Sequence, residues 1–386
     1  MTEETIIEKI DIYQGSIPTN LRFSYRVVKS FPFSFIKIRS GNFTGYGESL
    51  GISSLYRDVP KEVIGGNASK LEALLPEYLL KKENNTVREA FSIALYDLVA
   101  KVHEMPLCTL LGGRKRDSVP LMPCIFSESS SEAGEKALAF VRKGYRYLKV
   151  KLIGEVEYDV EIIRYIRKRV GKEIYLQADV NCGYKDFTKA KNAIEKFGAL
   201  GLDVIEDPLS GTLEEYRKLR ADDGVKIMVD SGARTLRDVG AIISKGAADI
   251  INQHPCQQGG LERAKMVHSA ACSMDIPTMI GGTGFLGVGT AAFQTLASVI
   301  GLDFPCGELC GIIDHGFPQK IVKELYAVEN GNALIPNEPG LGIEIDEESL
   351  DNLTDKHMSW ENKNGNEELK EKIMGKNSSK LFKLKH

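Results

Sequence analysis

The sequence predicts an α/β protein: a parallel (β/α) barrel with a smaller, strand-rich domain ahead of it. Three observations carry that prediction. After about residue 119, short apolar, β-branched runs alternate with helical segments until eight strands have passed. Polar groups stand where those runs end. From Lys151 to Asp179, Glu206, Asp230 and His254 they recur about every 24 to 28 residues, enough for one strand, one helix and two loops. The opening of the chain lacks this cadence and reads as strands separated by polar links.

Taken in order, residues 5–12 and 33–39 are strands by their β-branched and aromatic content, and 43–48 is a glycine-punctuated strand. The link 14–26 contains Pro18 and polar groups, and 49–60 is a second polar loop. Residues 63–104 turn helical, and Leu110-Leu111-Gly112-Gly113 is a glycine stop. In the barrel, strand 119–126 precedes helix 132–143, 146–152 precedes 158–170, and 174–180 precedes 188–197. Strand 204–206 precedes helix 213–219, 226–230 precedes 236–245, 248–253 precedes 261–274, and 278–280 precedes 290–300. Strand 305–309 closes the series. Beyond residue 322, strands at 324–328 and 342–345 flank the turn Asn337-Glu338-Pro339-Gly340 and return to the N-terminal domain. Residues 362–386, rich in Lys, Glu and Asn, read as an exposed helix or a disordered tail. The expected domains are therefore 1–115, 116–321 for the barrel, 322–361 for the return and 362–386 for the tail.

Composition narrows the function classes. The chain has 386 residues, 42% hydrophobic and 27% charged, with a net charge of -3, so nucleic acid is not an expected partner. No run approaches the ~18 apolar residues of a membrane span, and the first residues lack the features of a signal peptide. The expected location is cytoplasmic. The seven cysteines are odd in number and scattered, as expected of buried free thiols in a reducing compartment. Cys306 and Cys310, the one close pair, match neither a zinc knuckle nor a redox motif.

The chemistry lies at the strand ends. Asp179, Glu206 and Asp230 end three consecutive strands, so a barrel brings their carboxylates together at its mouth. One such carboxylate is ordinarily a helix cap or an ion-pair partner. Three in register are a hard oxygen set suited to Mg²⁺, with Mn²⁺ as an alternative. Lys149 and Lys151 are two apart and share a face of their strand. Under the helices two ammonium groups would be costly to desolvate; at the mouth they meet carboxylates. Neighbouring cations favour the neutral amine that general-base work requires.

This ordered set resembles the muconate lactonizing enzyme (muconate cycloisomerase) subgroup of the enolase superfamily, within its mandelate racemase/muconate lactonizing enzyme family. The subgroup carries Lys-x-Lys on the second barrel strand, as in Lys149-Val150-Lys151. Gly45-Tyr46-Gly47-Glu48, Ala94-Leu95-Tyr96-Asp97, Leu110-Leu111-Gly112-Gly113, Gly259-Gly260, Gly281-Gly282-Thr283, Glu308 and Pro339-Gly340-Leu341-Gly342 also fit, so the likeness covers nearly the whole chain. It implies a modified TIM barrel, (β/α)7β-like, with an α+β N-terminal capping domain completed by C-terminal segments. It further implies Mg²⁺ held by Asp179, Glu206 and Asp230, and a substrate carboxylate bound to the ion. Lys151 would be the acid/base, Lys149 its electrostatic support, and Asn181 and Glu308 polar groups around the intermediate. The loops 14–26 and 49–60 would close over the mouth and set specificity.

One position departs from the pattern. Where subgroup members commonly place a second lysine, five residues before Gly259-Gly260, this chain has His254. An imidazole there is a second base, or a neutral donor or cation-binding group in a one-base reaction. The seventh strand has no histidine for a mandelate-racemase-like dyad, and no Asp-x-Asp stands at the eighth, so dipeptide epimerisation is not expected. Gly287-Val288-Gly289-Thr290-Ala291-Ala292 matches a dinucleotide fingerprint, but it comes seventh in the series rather than first, so packing glycines explain it better. The expected activity is that of a Mg²⁺-dependent isomerase, cycloisomerase or racemase, acting on a small-molecule carboxylate through an enolate. A syn-dehydratase on the same scaffold is the alternative, and a non-catalytic binding module a remote one. A homo-oligomer is expected.

Overall fold

The computed structural model describes residues 5–126, 129–220, 224–282, 286–300, 320–363 and 366–373. Strands β1 (Lys9–Arg22), β2 (Val27–Ser40) and β3 (Phe43–Leu50) form an antiparallel meander. Both faces of its inner strands are buried. Ile10, Ile12, Ile36 and Ile38 pack with Phe91, Leu95 and Leu98 of the helix Asn85–Val102, while Tyr13, Phe33 and Phe35 belong to the cluster that runs into the barrel. That helix is buried on nearly all sides, as expected of one clamped between layers. Gly45 and Gly47 let it lie directly on β3, because a Cβ at either would fall 2.1 Å from the Ala94 carbonyl oxygen or 1.9 Å from that of Ala90. This is the physical reason for the glycines of Gly45-Tyr46-Gly47-Glu48.

The stretch 14–26 is not the loop expected of it. It is the far half of a hairpin, with β1 running to Arg22 and β2 starting at Val27. Pro18 is tolerated because the register shifts between Pro18 and Leu21. Only the tip, residues 23–26, is a turn, and it reaches the barrel: Ser24 Oγ donates to the Asn181 carbonyl (3.2 Å) and Phe23 meets Phe126 edge-on.

The expected strand 119–126 is split. β4 (Ser118–Pro120) and β5 (Cys124–Ile125) are separated by Leu121-Met122-Pro123, and Pro120 and Pro123 have no N–H for a continuous ladder. β5 begins a curled, wholly parallel sheet through β6 (Tyr147–Lys151), β7 (Tyr175–Asp179), β8 (Val204–Glu206), β9 (Lys226–Val229), β10 (Ile250–Gln253) and β11 (Thr278–Ile280), in that spatial order. This is a TIM-barrel-like sheet beside an antiparallel N-terminal sheet. The expected eighth strand at 305–309, with Glu308, Cys306 and Cys310, lies outside the described residues. The intervening helices start where the sequence supplies caps: Ser129, Asp186 and Thr235 accept from backbone N–H groups of the first turn, and Thr212 with Glu215 makes a capping box. A short helix Pro255–Gln258 follows β10, opened by proline and not foreseen. Of the cysteines described, Cys108 and Cys124 are buried, but Cys272 is exposed. No helix among the described residues is long and apolar enough to cross a membrane.

The barrel interior is layered. Met122, Val204, Met228, Ile250 and Met279 form an apolar floor with Tyr147 and Tyr175 packed on it. Because side chains alternate along a strand, the next inward position towards each C-terminal end is polar or absent: Lys149, Gln177, Glu206, Asp230, Asn252 and Gly281.

After the barrel the expected strands are displaced. β12 (Val328–Glu329) and β13 (Asn332–Leu334) turn on Asn330-Gly331, both at positive φ as a type I′ hairpin demands, and β13 pairs with β4. Residues 342–345 contribute one bridge, Ile345 to Val322. The return to the N-terminal domain runs through Gly340, whose N–H and carbonyl bond Met105 and Leu107, and then through β14 (Thr354–Lys363), which pairs with β1. The expected helical or disordered tail is overturned for residues 366–373, which form β15 (Asn366–Ile373) at the sheet edge. The sequence between the paired ends of β14 and β15 is Asn364-Gly365, a two-residue hairpin signal. The Glu- and Lys-rich composition of β15 suits an edge strand.

Glu48 ties the two sheets together. Fully buried, it accepts from the backbone N–H groups of Leu286 and Gly289 (2.9 Å for the latter) at the start of the helix Val288–Ile300. The glycine-rich stretch thus receives an anion from its own chain. Burial pushes the Glu48 carboxyl up from 4.5 to about 7. A folded value above the unfolded one means that stability from this group is present below about 4.5 and is lost as pH rises to about 7. Glu48→Gln should therefore make the decline in denaturant midpoint across that window shallower than in the wild type. An unchanged slope would place the titration elsewhere.

Candidate active site and metal centre

Strand β6 delivers Lys149 and Lys151 inward. Lys149 is wholly buried, and its Nζ lies 3.0 Å from Asp179 Oδ2 and 2.6 Å from Glu206 Oε2. Lys151 Nζ lies 2.5 Å from Asp179 Oδ2 and 5.5 Å from the centre of the Phe23 ring. These contacts follow from register, since Lys151 pairs with Asp179 and Asp179 with Glu206 across β6, β7 and β8.

Each carboxylate is held by its own set of donors. Asp179 Oδ1 accepts from the Asn181 backbone N–H (2.8 Å), in a turn where Asn181 and Cys182 both take positive φ. Glu206 accepts from Asn252 Nδ2 (2.9 Å) and from Gln177 Nε2 as well as Lys149. Asp207, also at positive φ and buried, turns aside to accept from the backbone N–H groups of Asp230 (3.1 Å) and Ser231 (2.9 Å). That pair fixes where β9 ends and which way Asp230 leaves it. Asp230 accepts from Gln257 Nε2 (2.9 Å), and its Oδ1 faces His254 Nε2 at 3.3 Å. The His254 ring is buried against Gly281, where a Cβ would stand 2.0 Å from Nε2; only glycine leaves room for it.

The charges in this cluster do not cancel. Asp179, Glu206, Asp207 and Asp230 set four carboxylates against the two ammonium groups of Lys149 and Lys151. Asp230 bears the consequence: burial first, then the charges of Glu206 and Asp207, hold its carboxyl well above the ordinary range. Around the cluster the buried amide oxygens of Gln177, Asn181, Asn252 and Gln257 have no hydrogen-bond donor among the described residues. Four carboxylates against two ammonium groups, one of the four resisting ionisation without a counter-charge and all ringed by amide oxygens, fit a divalent cation. Glu206, Asp230 and His254 bring one donor atom each to within 4.8 Å of one another. Asp179 stands apart from that trio, its Oδ2 shared by both lysines.

The structure thus gathers Lys149, Lys151, Asp179, Asn181, Glu206, Asp230 and His254 at one mouth, while Glu308 is outside the described residues. Sequence reasoning missed Gln177, Asn252, Asp207 and Gln257. Gln177 and Asn252 were within reach, since each lies two residues before a named group and so shares its face. Asp207 and Gln257 act through turns that no periodicity signals.

Residues 132–349 match the family model described as enolase C-terminal domain-like. N-succinyl-L-Arg/Lys racemase of Bacillus cereus is 27% identical over 373 residues, 90% of this chain and 98% of the relative. Muconate cycloisomerase 1 of Acinetobacter baylyi is 30% identical over 277 residues, 70% of this chain and 73% of the relative. The crystal structure of N-succinyl Arg/Lys racemase from Bacillus cereus superposes with a TM-score of 0.83 at 26% identity, covering 92% of this chain and 99% of that one. Muconate lactonizing enzyme from Pseudomonas fluorescens, complexed with muconolactone, gives 0.82 at 24% identity over 91% and 100%, a likeness of fold.

Proposed function

Because the chain belongs to the enolase C-terminal domain-like family, and is an isomerase-type enzyme by its relatives, we propose that it moves the α-proton of a small carboxylate substrate through an enolate. The observation that carries this reading is Lys151, an amine at a barrel mouth whose side chain is 6% exposed and whose Nζ lies 2.5 Å from one carboxylate of the acidic cluster. Mg²⁺, or Mn²⁺ in its place, held by Asp179, Glu206 and Asp230, would supply the positive charge without which an α-proton beside a carboxylate is too weakly acidic to remove.

The rest is the work of the chain. Lys151 Nζ takes the proton from the substrate carbon and returns it. Lys149, locked between Asp179 and Glu206, places a fixed positive charge beside the carboxylate end of the substrate and opposes the charge that develops there. Asn181, tied to Asp179, orients that carboxylate. The hairpin tip at 23–26, with Phe23 over Lys151, keeps water from the proton in transit. A cycloisomerisation needs only Lys151, whereas a racemisation needs a second base on the opposite face, the role open to His254. Lys151 protonating a departing hydroxyl instead would make the same site a syn-dehydratase.

The test is hydrogen exchange. The protein with Mg²⁺ or Mn²⁺ in D₂O, offered a broad set of carboxylic acids, should wash deuterium into the α-position of at least one, read by NMR. No exchange on any acid would sink the proposal.

A further inference from the structure

The geometry points to His254 as a ligand of the divalent ion through Nε2, alongside Glu206 and Asp230, and so to a site that takes Mn²⁺ more tightly than Mg²⁺. The inference rests on the metal-dependent reading above.

The contacts of Nε2 carry it. On one side stands Asn252 Nδ2 at 3.3 Å, and on the other Asp230 Oδ1 at 3.3 Å. The amide of Asn252 must present its NH₂ on this side, because the same Nδ2 donates to Glu206 Oε1 at 2.9 Å. A hydrogen on Nε2 would serve Asp230 but meet the Asn252 NH₂. A bare Nε2 would suit Asn252 but turn its lone pair on a carboxylate oxygen. With Asp230 ionised, as a metal ligand must be, neither tautomer satisfies both neighbours. A cation shared by Nε2, Asp230 and Glu206 takes the lone pair and both carboxylates, while Asn252 Nδ2 keeps Glu206 Oε1 as its acceptor. Two donors at right angles, each about 2.1 Å from one ion, lie about 3 Å apart, close to the 3.3 Å between Nε2 and Asp230 Oδ1.

The surroundings are built to hold the ring there. Gly281 supplies the space and Asp207 aims the end of β9. The short helix that starts at Pro255 brings Gln257 Nε2 onto the same Asp230 Oδ1 and holds that oxygen in place. An imidazole adds a donor without adding charge, and nitrogen donors favour Mn²⁺, Co²⁺ and Zn²⁺ over Mg²⁺, which prefers oxygen and water. A histidine committed to the ion is withdrawn from the substrate, leaving Lys151 as the one base.

Mn²⁺-loaded wild-type protein, examined by electron spin-echo spectroscopy, should show modulation from an imidazole nitrogen, and the modulation should vanish in His254→Ala. The same variant should bind Mn²⁺ at least about tenfold more weakly, with Mg²⁺ affinity changed much less, while circular dichroism reports an intact fold. Absence of the nitrogen signal in the wild type overturns the inference. So does unchanged Mn²⁺ affinity in His254→Ala when Asp230→Ala loses it, and in that case the carboxylate site and the proposed function stand. Failure of the wild type to bind either ion would instead bring down the metal-dependent reading itself.

Discussion

Lys151→Ala is expected to lower turnover about 10²- to 10⁴-fold, the usual contribution of a positioned acid/base, with the fold retained. Lys149 keeps its two carboxylate partners in this variant, and Lys151 stands at the open end of the site beneath the hairpin tip, so the loss is chemical rather than structural. Lys151→Arg sharpens the test. Arginine preserves the positive charge beside Asp179 but does not give up its proton near neutral pH. If Lys151 moves the proton, both variants lose α-hydrogen exchange in D₂O. Should Lys151→Arg keep it, the residue supplies charge alone and the proton mover lies elsewhere.

Asp230→Asn has the second large effect, and its sign depends on the metal. Without a divalent ion the cluster carries surplus negative charge, and Asp230 is the carboxylate pushed up by it. Removing that charge should raise the unfolding midpoint of the metal-free protein. With Mg²⁺ or Mn²⁺ at about 100 times its dissociation constant, the wild type should gain about 2.7 kcal/mol by mass action, and Asp230→Asn should gain little of it and lose activity. The two proteins would then change places in stability as metal is added. Parallel stabilisation of both by metal would place the ion elsewhere, and a metal-free variant less stable than the wild type would contradict the charge count.

Much of this protein is legible in its sequence because a barrel repeats. Apolar runs that stop at Lys151, Asp179, Glu206, Asp230 and His254 mark strand ends, and period-two alternation assigns the inward face once one member is known to point in. The errors fall where pairing, not composition, sets the structure. The stretch 14–26 looks like a loop because of Pro18, yet the partner strand accommodates it at a register shift. Residues 366–373 look like a tail because they are polar, yet an edge strand needs no apolar face. Strand 119–126 looks continuous, yet prolines divide it between two sheets.

The sequence by itself determined the strand and helix cadence, the identity of the acids and amines, and the strand ends that carry them, because those are local properties of short segments. The tertiary structure alone decided how they meet. Register across β6, β7 and β8 brings Lys149 and Lys151 onto Asp179 and Glu206. Asp207 aims Asp230, and the missing side chain of Gly281 lets the His254 ring lie against it. Stagger between strands and the space left by a neighbour 27 residues away are fixed by packing, and no window of sequence contains them.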